Sequence, residues 1–385
     1  MIDFRYHLVS LISVFLALAV GIALGAGPLE ESIGDTLTGQ VDQLRAEKDD
    51  LRAQVEQLSG ELDDSEAALT ALGPSVLDGT LGGRRVALVV LDEVDQSVVE
   101  QISRSVGQAG GTVSAVATVT QAWTDPTRST FRQSLAATMV TYLDTVPPAD
   151  AGTDTELAEA LAQALTTPEP TDPDVLSEHA QVLLDLFGGD SGLVTFSDTV
   201  TAPADAIVVV AGPISADEPV ATPTPDSTAT SDVPQDGTSA SATATAEATA
   251  TASESASDTE VEAQVAAWSE IALASQRRSD GAVVVTGTVS DPGLVLSIRT
   301  DADLSGQLST VDSVLTPAGG IAVPLALTNR ISGTVGQYGF GPDASDPIPP
   351  RVELPPIERT PEVVEEPTPS DTQPTEGADA STGQG

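Results

Sequence analysis

The sequence predicts an α/β protein. A three-layer domain with a mostly parallel sheet follows an N-terminal transmembrane helix and a coiled coil. Three patterns predict it: an uncharged run at residues 8–26, leucines and valines at heptad spacing over residues 37–72, and β-branched runs that alternate with helical patterns from residue 82 onward. The first two indicate an anchored helical segment. The third is typical of strands and helices layered around one sheet.

Residues 1–27 are predicted to be a membrane anchor. No residue from 8 to 26 is charged, and a helix of this length, at about 1.5 Å per residue, approaches the ~30 Å thickness of a hydrocarbon core. A cleavable signal peptide usually has a shorter apolar region of about 7–15 residues. We therefore expect the segment to be retained, although Ala23-Leu24-Gly25 offers small residues of the kind that signal peptidase recognises.

The residues that flank this run predict its orientation. Arg5 precedes it and acidic residues follow it, so a single pass would leave the N-terminus cytoplasmic and the bulk of the chain extracytoplasmic. Gly21 and Gly25 have the spacing that lets two membrane helices approach closely.

A coiled coil is predicted for residues 28–73, because apolar residues recur at alternating spacings of four and three. Valine at two of the five a positions and leucine at most d positions favours a parallel homodimer, with a higher oligomer as the alternative association. The lysine at one a position selects register and partner number. The competing interpretation is a single amphipathic helix folded back on the globular domain. Gly73-Pro74 is expected to end the helix. The seam comprises Val41, Lys48, Val55, Leu62 and Leu69 at a, and Leu37, Leu44, Leu51, Leu58, Ser65 and Leu72 at d.

Residues 82–216 and 259–341 are predicted to form the α/β domain. The apolar run at 320–331 predicts a fifth strand, which Pro324 restricts to an edge or a short piece. Four other apolar runs predict buried parallel strands, at 84–92, 112–120, 204–213 and 281–287. Helical periodicity lies between and around them, at 97–111, 130–143, 155–165, 174–186 and 260–277.

Two acidic segments are predicted to be disordered. Residues 217–258 are mainly Ala, Thr, Ser and Pro with acidic side chains and no Lys or Arg. Such a composition cannot bury enough apolar surface to offset the entropy of ordering. Residues 342–385 form a second segment of this kind, a Pro-rich acidic tail.

The composition excludes several functions. Against 58 Asp and Glu the chain has 15 Lys and Arg, a formal net charge of −43 that would repel a phosphate backbone, so no nucleic-acid partner is expected. The chain has no cysteine, which excludes disulfides, thiolate metal sites and thiol catalysis. Beyond the anchor, His179 and Met139 are the soft or borderline copper ligands, so one protomer encodes no dedicated copper cluster.

Two motifs are candidate sites. Gly189-Asp190-Ser191-Gly192 matches the surroundings of a serine-protease nucleophile, but a triad needs a histidine base, and a turn before a strand at 193–196 is the simpler interpretation. Asp92, Glu93 and Asp95 follow the first strand, where doubly wound sheets bind ligands, and their carboxylates suit a hard cation. Alternatively these residues cap the next helix and complement its dipole. We expect no enzymatic activity, and the residues themselves establish no cofactor.

Four long blocks of this sequence resemble the mycobacterial copper-transport protein B family of actinobacterial envelope proteins. They are "HLVSLISVFLALAVGIALGAGPLEESI", "LRAEKDDLRAQVEQL", "VGQAGGTVSAVATVTQAW" and "LSTVDSVLTPAGGIAVPLALTNRISGTVGQYGFG", and the resemblance extends over residues 1–341. It implies an envelope copper transporter, proposed in mycobacteria to be an outer-membrane channel that limits intracellular copper. Copper as a ligand is implied by the resemblance alone. A second implied role is regulation of the envelope or of cell division through a protein partner in the same membrane.

Two functional hypotheses follow. The first is a copper-homeostasis protein of the envelope, in which any conduction arises in an oligomer because one apolar helix cannot enclose a pore. The second is an anchored coiled-coil scaffold that regulates the envelope or cell division through a membrane or envelope protein partner.

Overall fold

The computed structural model describes residues 4–26, 28–189, 191–214, 242–357 and 359. The chain divides into two units, Met1–Ala68 and Leu69–Gly385. Its helices are α1 (Phe4–Ala26), α2 (Pro28–Leu77), α3 (Gln96–Gln108), α4 (Ser129–Met139), α5 (Thr153–Thr166), α6 (Glu178–Gly188), α7 (Ala242–Arg278), α8 (Leu294–Thr300), α9 (Ala302–Ser305) and α10 (Pro317–Ile331). Its strands are β1 (Arg85–Leu91), β2 (Thr112–Val119), β3 (Pro168–Glu169), β4 (Asp172–Leu176), β5 (Val194–Phe196), β6 (Ala206–Ala211), β7 (Ala282–Thr286), β8 (Ser309–Val311) and β9 (Gln337–Tyr338).

The first unit consists of α1 and most of α2. Helix α1 is apolar on all sides from Leu8 onward, and its described side chains are exposed. Helix α2 does not end at Gly73-Pro74 as predicted but continues to Leu77. The reason is tertiary: Leu77 is fully buried in the α/β domain, and Gly73 packs on Ile321, so packing outweighs the local preference of proline.

The second unit is built on a seven-stranded sheet with the order β5-β2-β1-β6-β7-β8-β9. Neighbouring strands are parallel except for β5, which runs antiparallel to β2. Strands β1, β6 and β7 are buried almost throughout because helices cover both faces of the sheet. Helices α3 and α10 pack on one face, and α4 to α8 enclose the core on the other. The predicted three-layer, mostly parallel α/β architecture is confirmed.

The predicted fifth strand at 320–331 is wrong. These residues lie in α10, which Thr316 caps by accepting a hydrogen bond from the Gly319 amide, and the fifth parallel strand is β8. Helix α10 is buried on nearly every side, so its sequence is a continuous apolar run without amphipathic periodicity. Such a run does not distinguish a buried helix from a buried strand. A smaller correction concerns residues 174–186, where β4 precedes helix α6.

Parts of the two segments that were predicted to be disordered belong to the described structure. Residues 242–258 form the first part of helix α7, and residues 217–241 lie outside the described part of the chain. Residues 342–357 and 359 run along the α/β domain, where Ile348 packs against the core, and residues 360–385 lie outside the described part. The domain therefore extends past the predicted boundary at residue 341, because isolated apolar and arginine side chains in a Pro-rich sequence find partners on it.

Candidate functional site

The predicted acidic site lies at the carboxyl end of β1, and its three carboxylates have separate roles. Asp95 accepts a hydrogen bond from the Ser97 amide at 2.8 Å and so caps α3, which holds the pKa of its carboxyl below the usual value. Asp92 adopts a left-handed backbone conformation with φ 59°, and its carboxylate faces Gln264 of α7 at 3.5 Å. Among the residues that the structure describes, no three His, Asp or Glu side chains come close enough together to hold a metal ion.

The crevice in which doubly wound sheets bind ligands is closed here. It lies between β1 and β6, where the strand order reverses. Gly212, just after β6, approaches the β1–α3 loop so closely that a Cβ on it would stand 3.0 Å from the Glu93 carbonyl. Beside this contact a cleft of about 910 Å³ opens between α3 and the end of β2, lined by Glu93, Glu100 and Arg104 among others.

Ser191 and His179 have different partners. The Ser191 hydroxyl is buried and donates to the Phe187 carbonyl at 2.6 Å, which terminates α6 and supports the turn into β5. His179 is half-exposed and contacts Asp144 at 3.4 Å. This geometry is that of the turn before a strand, the alternative that the sequence left open; Asp190 lies outside the described residues.

A buried ion pair that was not predicted from the sequence lies at the carboxyl ends of β8 and β9. Arg299 of α8 donates to Asp312 at 2.8 Å, and both side chains are fully buried. The same guanidinium donates to the Thr310 hydroxyl and to the carbonyls of Tyr338 and Pro342, so the pair gathers three segments around one charge. Burial opposes ionisation of Asp312, but hydrogen bonds from Ser313, from the amides of Phe340 and Gly341 and from Arg299 hold its pKa below the usual value.

The ion pair shapes an exposed loop. The Phe340 amide donates to Asp312 at 2.9 Å, while the Phe340 ring is 62% exposed. Gly339 has φ 129°, and a Cβ there would lie 2.3 Å from the Asp312 carboxylate. The glycine-rich "GQYGFG" at 336–341 is the sequence feature that could have indicated this loop. Closely spaced glycines often mark a backbone that other groups approach too closely for a side chain to fit.

The seam of α2 is a mainly apolar stripe that Lys48 and Ser65 interrupt. The structure shows one helix through these residues, and its apolar seam side chains from Val41 to Leu62 stand exposed, from 42% for Val41 to 63% for Leu44 and Leu58, while Leu69 is half-buried. Lys48 lies within the stripe beside Leu44 and Leu51. Leu37 lies where side chains are not described. Exposed apolar stripes of this length are typical of surfaces that bind another helix.

The candidate membrane-spanning segment is identified by its length and its apolar composition. Among the described residues one helix, Arg5–Ala23, is long and apolar enough to cross a bilayer. Gly21 faces open space, as a position open to a second helix would, and Gly25 lies where side chains are not described.

Comparison with known proteins decides the family. Residues 1–349 match the family described as "Copper transport outer membrane protein, MctB". The chain belongs to this family. The match extends from α1 through β9, so it includes the apolar helix α1, α2 and the whole α/β sheet.

Relatives in this family are similar over nearly their full length. The copper transporter MctB of Mycobacterium leprae (strain TN) is 30% identical over 360 residues, which cover 90% of this chain and 98% of that protein. The copper transporter MctB of Mycobacterium tuberculosis (strain ATCC 25618 / H37Rv) is 27% identical over 361 residues, covering 89% and 97%. Membership in the MctB family and the apolar α1 indicate a membrane or envelope protein.

Proposed function

We propose that this protein acts in copper homeostasis at the cell envelope. The observation that carries the proposal is the extent of the family match, which includes both units of the chain rather than one shared domain. Copper is treated as cargo, because no cluster of three ligating carboxylates or imidazoles forms within the described residues. Any path for copper would have to be built from several copies.

The proposed arrangement is an oligomer of anchored chains. A single helix exposes its apolar side chains to lipid and encloses no pore, whereas several α1 helices side by side could. The exposed stripe of α2 supplies the association, with valine at a and leucine at d in the combination that favours parallel helices. Parallel association also suits chains whose N-termini enter the same membrane.

The proposed topology is a single pass with the N-terminus cytoplasmic and the α/β domain extracytoplasmic. Arg5 on the N-terminal side and the acidic residues that follow α1 support it. The family description implies the alternative, an outer-membrane location. Mass spectrometry of the mature N-terminus tests whether the anchor is retained: a chain that begins at residue 1 or 2 supports it, and a chain that begins near Ala26 would contradict it.

Deletion of the gene tests the proposed function. We expect the deletion strain to be hypersensitive to copper and to accumulate copper, and we expect the wild-type chain to restore both properties. Zinc and nickel sensitivity serve as controls, because a general envelope defect would raise sensitivity to all three metals. Normal copper tolerance and normal copper content in the deletion strain would refute the proposal.

A second candidate function is an anchored scaffold that regulates the envelope or cell division. The exposed stripe of α2 favours it, since the same surface that binds a second copy can bind a helical partner. The deletion strain distinguishes the two functions. Altered septation or β-lactam sensitivity at normal copper tolerance would support the scaffold, and the reverse phenotype would support copper homeostasis.

A further inference from the structure

The segment after β9 crosses the base of the α/β domain as a strap, defined here as residues 348–357 and 359. Ile348 packs on the core beside α10, and the Asn329 side chain of α10 donates to the Pro350 carbonyl at 2.6 Å. Asn329 is itself buried, so this hydrogen bond fixes the start of the strap. The family match ends at residue 349, so all but the first two residues of the strap lie beyond it.

The strap caps the end of α2. Arg351 donates to the carbonyls of Val76 and Asp78, at 2.9 and 3.0 Å. The last carbonyls of a helix have no partner within the helix, and a cation placed there also complements the helix dipole. In this chain the cap of α2 therefore comes from a residue more than 270 positions later in the sequence.

The far end of the strap is tied to the start of the sheet. Arg359 donates to the Gly83 carbonyl at 2.9 Å and to the Asp205 carboxylate at 2.5 Å. The same carboxylate oxygen accepts the Arg85 amide, which joins the first residue of β1 to the loop before β6. Between these two ties, buried Arg84 donates to the Pro355 carbonyl at 2.9 Å.

Basic residues are scarce in this acidic chain, yet three arginines make the hydrogen bonds between the strap and the junction. Arg84, Arg351 and Arg359 are three of only 15 basic residues in a chain with 58 acidic ones. Arg351 and Arg359 of the strap donate to main-chain carbonyls of one short junction, residues 76–85, between α2 and β1. Arg84 of the junction donates in the other direction, to a main-chain carbonyl of the strap. A tail that only followed the surface would not need charged hydrogen bonds at both ends.

We propose that the strap is a latch that holds the junction between α2 and β1. When it is docked, the last turn of α2 and the turn at Gly79–Gly83 are fixed between the strap and the α3–β2 turn, where Leu81 donates to the Ala109 carbonyl. When it is released, that turn keeps its hydrogen bonds to the α3–β2 turn but loses the strap, and it opens locally while the central strands stay folded. A partner or a protease that engages the chain after residue 359 would thereby act on the end of α2.

Hydrogen exchange of the full chain in detergent micelles tests the latch. The variant combines Arg351→Gln and Arg359→Gln, and Glu353→Gln is the matched control because it removes a charge from the exposed side of the same strap. We expect amides of residues 77–84 to exchange about tenfold faster or more in the double variant, with the amides of β6 and β7 unchanged. Glu353→Gln should exchange like the wild type.

Two further chains separate a latch from a general loss of stability. A chain that ends after Arg359 keeps the strap and should match the wild type, and the single variant Arg351→Gln keeps the Arg359–Asp205 pair and should loosen the end of α2 alone. An unchanged exchange rate at residues 77–84 in the double variant would overturn the proposal. An equal increase throughout the sheet would overturn it too, because the strap would then support the whole domain.

Discussion

At the scale of residues, the Arg299–Asp312 pair organises the carboxyl edge of the sheet. Both charges are fully buried. Arg299 also donates to the Thr310 hydroxyl of β8 and to the Tyr338 carbonyl of β9, and Asp312 also accepts from the Gly341 amide in the loop after β9. A buried pair offsets the cost of desolvation only when its other hydrogen-bonding positions are also filled. Removal of one partner leaves the other charge buried without compensation, so the consequence is larger than the loss of one contact.

Substitution of Arg299 by methionine should lower the free energy of unfolding by about 3–5 kcal/mol. Urea unfolding followed by tryptophan fluorescence measures it, because Trp123 and Trp268 are the two tryptophans of the chain and both are buried in the α/β domain. Arg45→Met is the control: its pair with Asp42 is exposed and should contribute less than about 1 kcal/mol. A loss below 1 kcal/mol for Arg299→Met would contradict the assigned role.

Asp312 should also make the free energy of unfolding depend on pH. Its folded pKa lies below that of an unfolded aspartate, about 3.9, so its ionised form stabilises the fold above that value. That contribution is lost as the pH falls from about 4 through the lower folded pKa. We expect Asp312→Asn to be less stable than the wild type near neutral pH and to lose less stability on acidification. Equal slopes of stability against pH below about 4 would contradict this assignment.

At the scale of elements, α10 begins in a tight turn that requires glycine at one position and tolerates a side chain at the next. A Cβ on Gly319 would lie 2.1 Å from the Ser313 carbonyl, which is main chain and cannot move aside. A Cβ on Gly320 would meet the end of the Gln101 side chain at 2.5 Å, which can rotate away. Main chain thus excludes a side chain at Gly319, whereas at Gly320 only a movable side chain opposes one.

We therefore expect Gly319→Ala to destabilise the domain by about 2 kcal/mol or more, and Gly320→Ala by less than about 1 kcal/mol. The midpoint of urea unfolding of the two variants checks this difference directly, since both substitutions add the same methyl group to the same helix. Equal losses, or a larger loss for Gly320→Ala, would show that the α10 turn relaxes more easily than its main-chain contacts indicate.

The same element shows where sequence-based prediction reaches its limit. Strands β1, β2, β6 and β7 were predictable because each is a short run rich in valine, isoleucine or alanine bounded by glycine or polar residues. Helix α10 has a similar composition, and its burial on nearly every side removes the amphipathic periodicity that would have indicated a helix. For the carboxylates after β1 the sequence left a cation site and a helix cap as alternatives; the cap by Asp95 is a local interaction, whereas the contact of Asp92 with α7 depends on tertiary packing.

The buried pair could not be predicted for a related reason. Arg299 and Asp312 stand 13 residues apart, on α8 and just after β8, and nothing in that spacing brings them together. Their proximity depends on α8 packing against the sheet, and so does the position of the exposed Phe340. The strap was mispredicted as disordered because its composition is Pro-rich, although a few well-placed arginines suffice to dock it.

At the scale of the whole molecule, an apolar helix long enough to cross a bilayer, a long helix with an exposed apolar stripe and an α/β domain follow one another in one chain. An exposed stripe with heptad spacing is stable in water when a second helix covers it. The copper proposal needs that association, because one α1 cannot line a path for an ion. Self-association and copper handling should therefore be lost together.

Leu51→Asp should break the association of full-length chains in detergent, because it places a charge at a d position of the seam. Ala53→Asp introduces the same side chain on the opposite side of the helix and should associate like the wild type. Sedimentation velocity distinguishes the species. If Leu51→Asp sediments as the wild type does, the seam is not the interface, and a helix folded back on its own domain becomes the better interpretation.

Cell copper content tests the central claim most directly. The deletion strain is complemented with the wild-type chain, with Leu51→Asp or with Ala53→Asp at matched levels in the membrane, challenged with copper, and its total copper is measured by mass spectrometry. We predict low copper with the wild type and with Ala53→Asp, and the high copper of the uncomplemented deletion with Leu51→Asp. The same copper content in all four strains would contradict a role for the assembled protein in copper homeostasis.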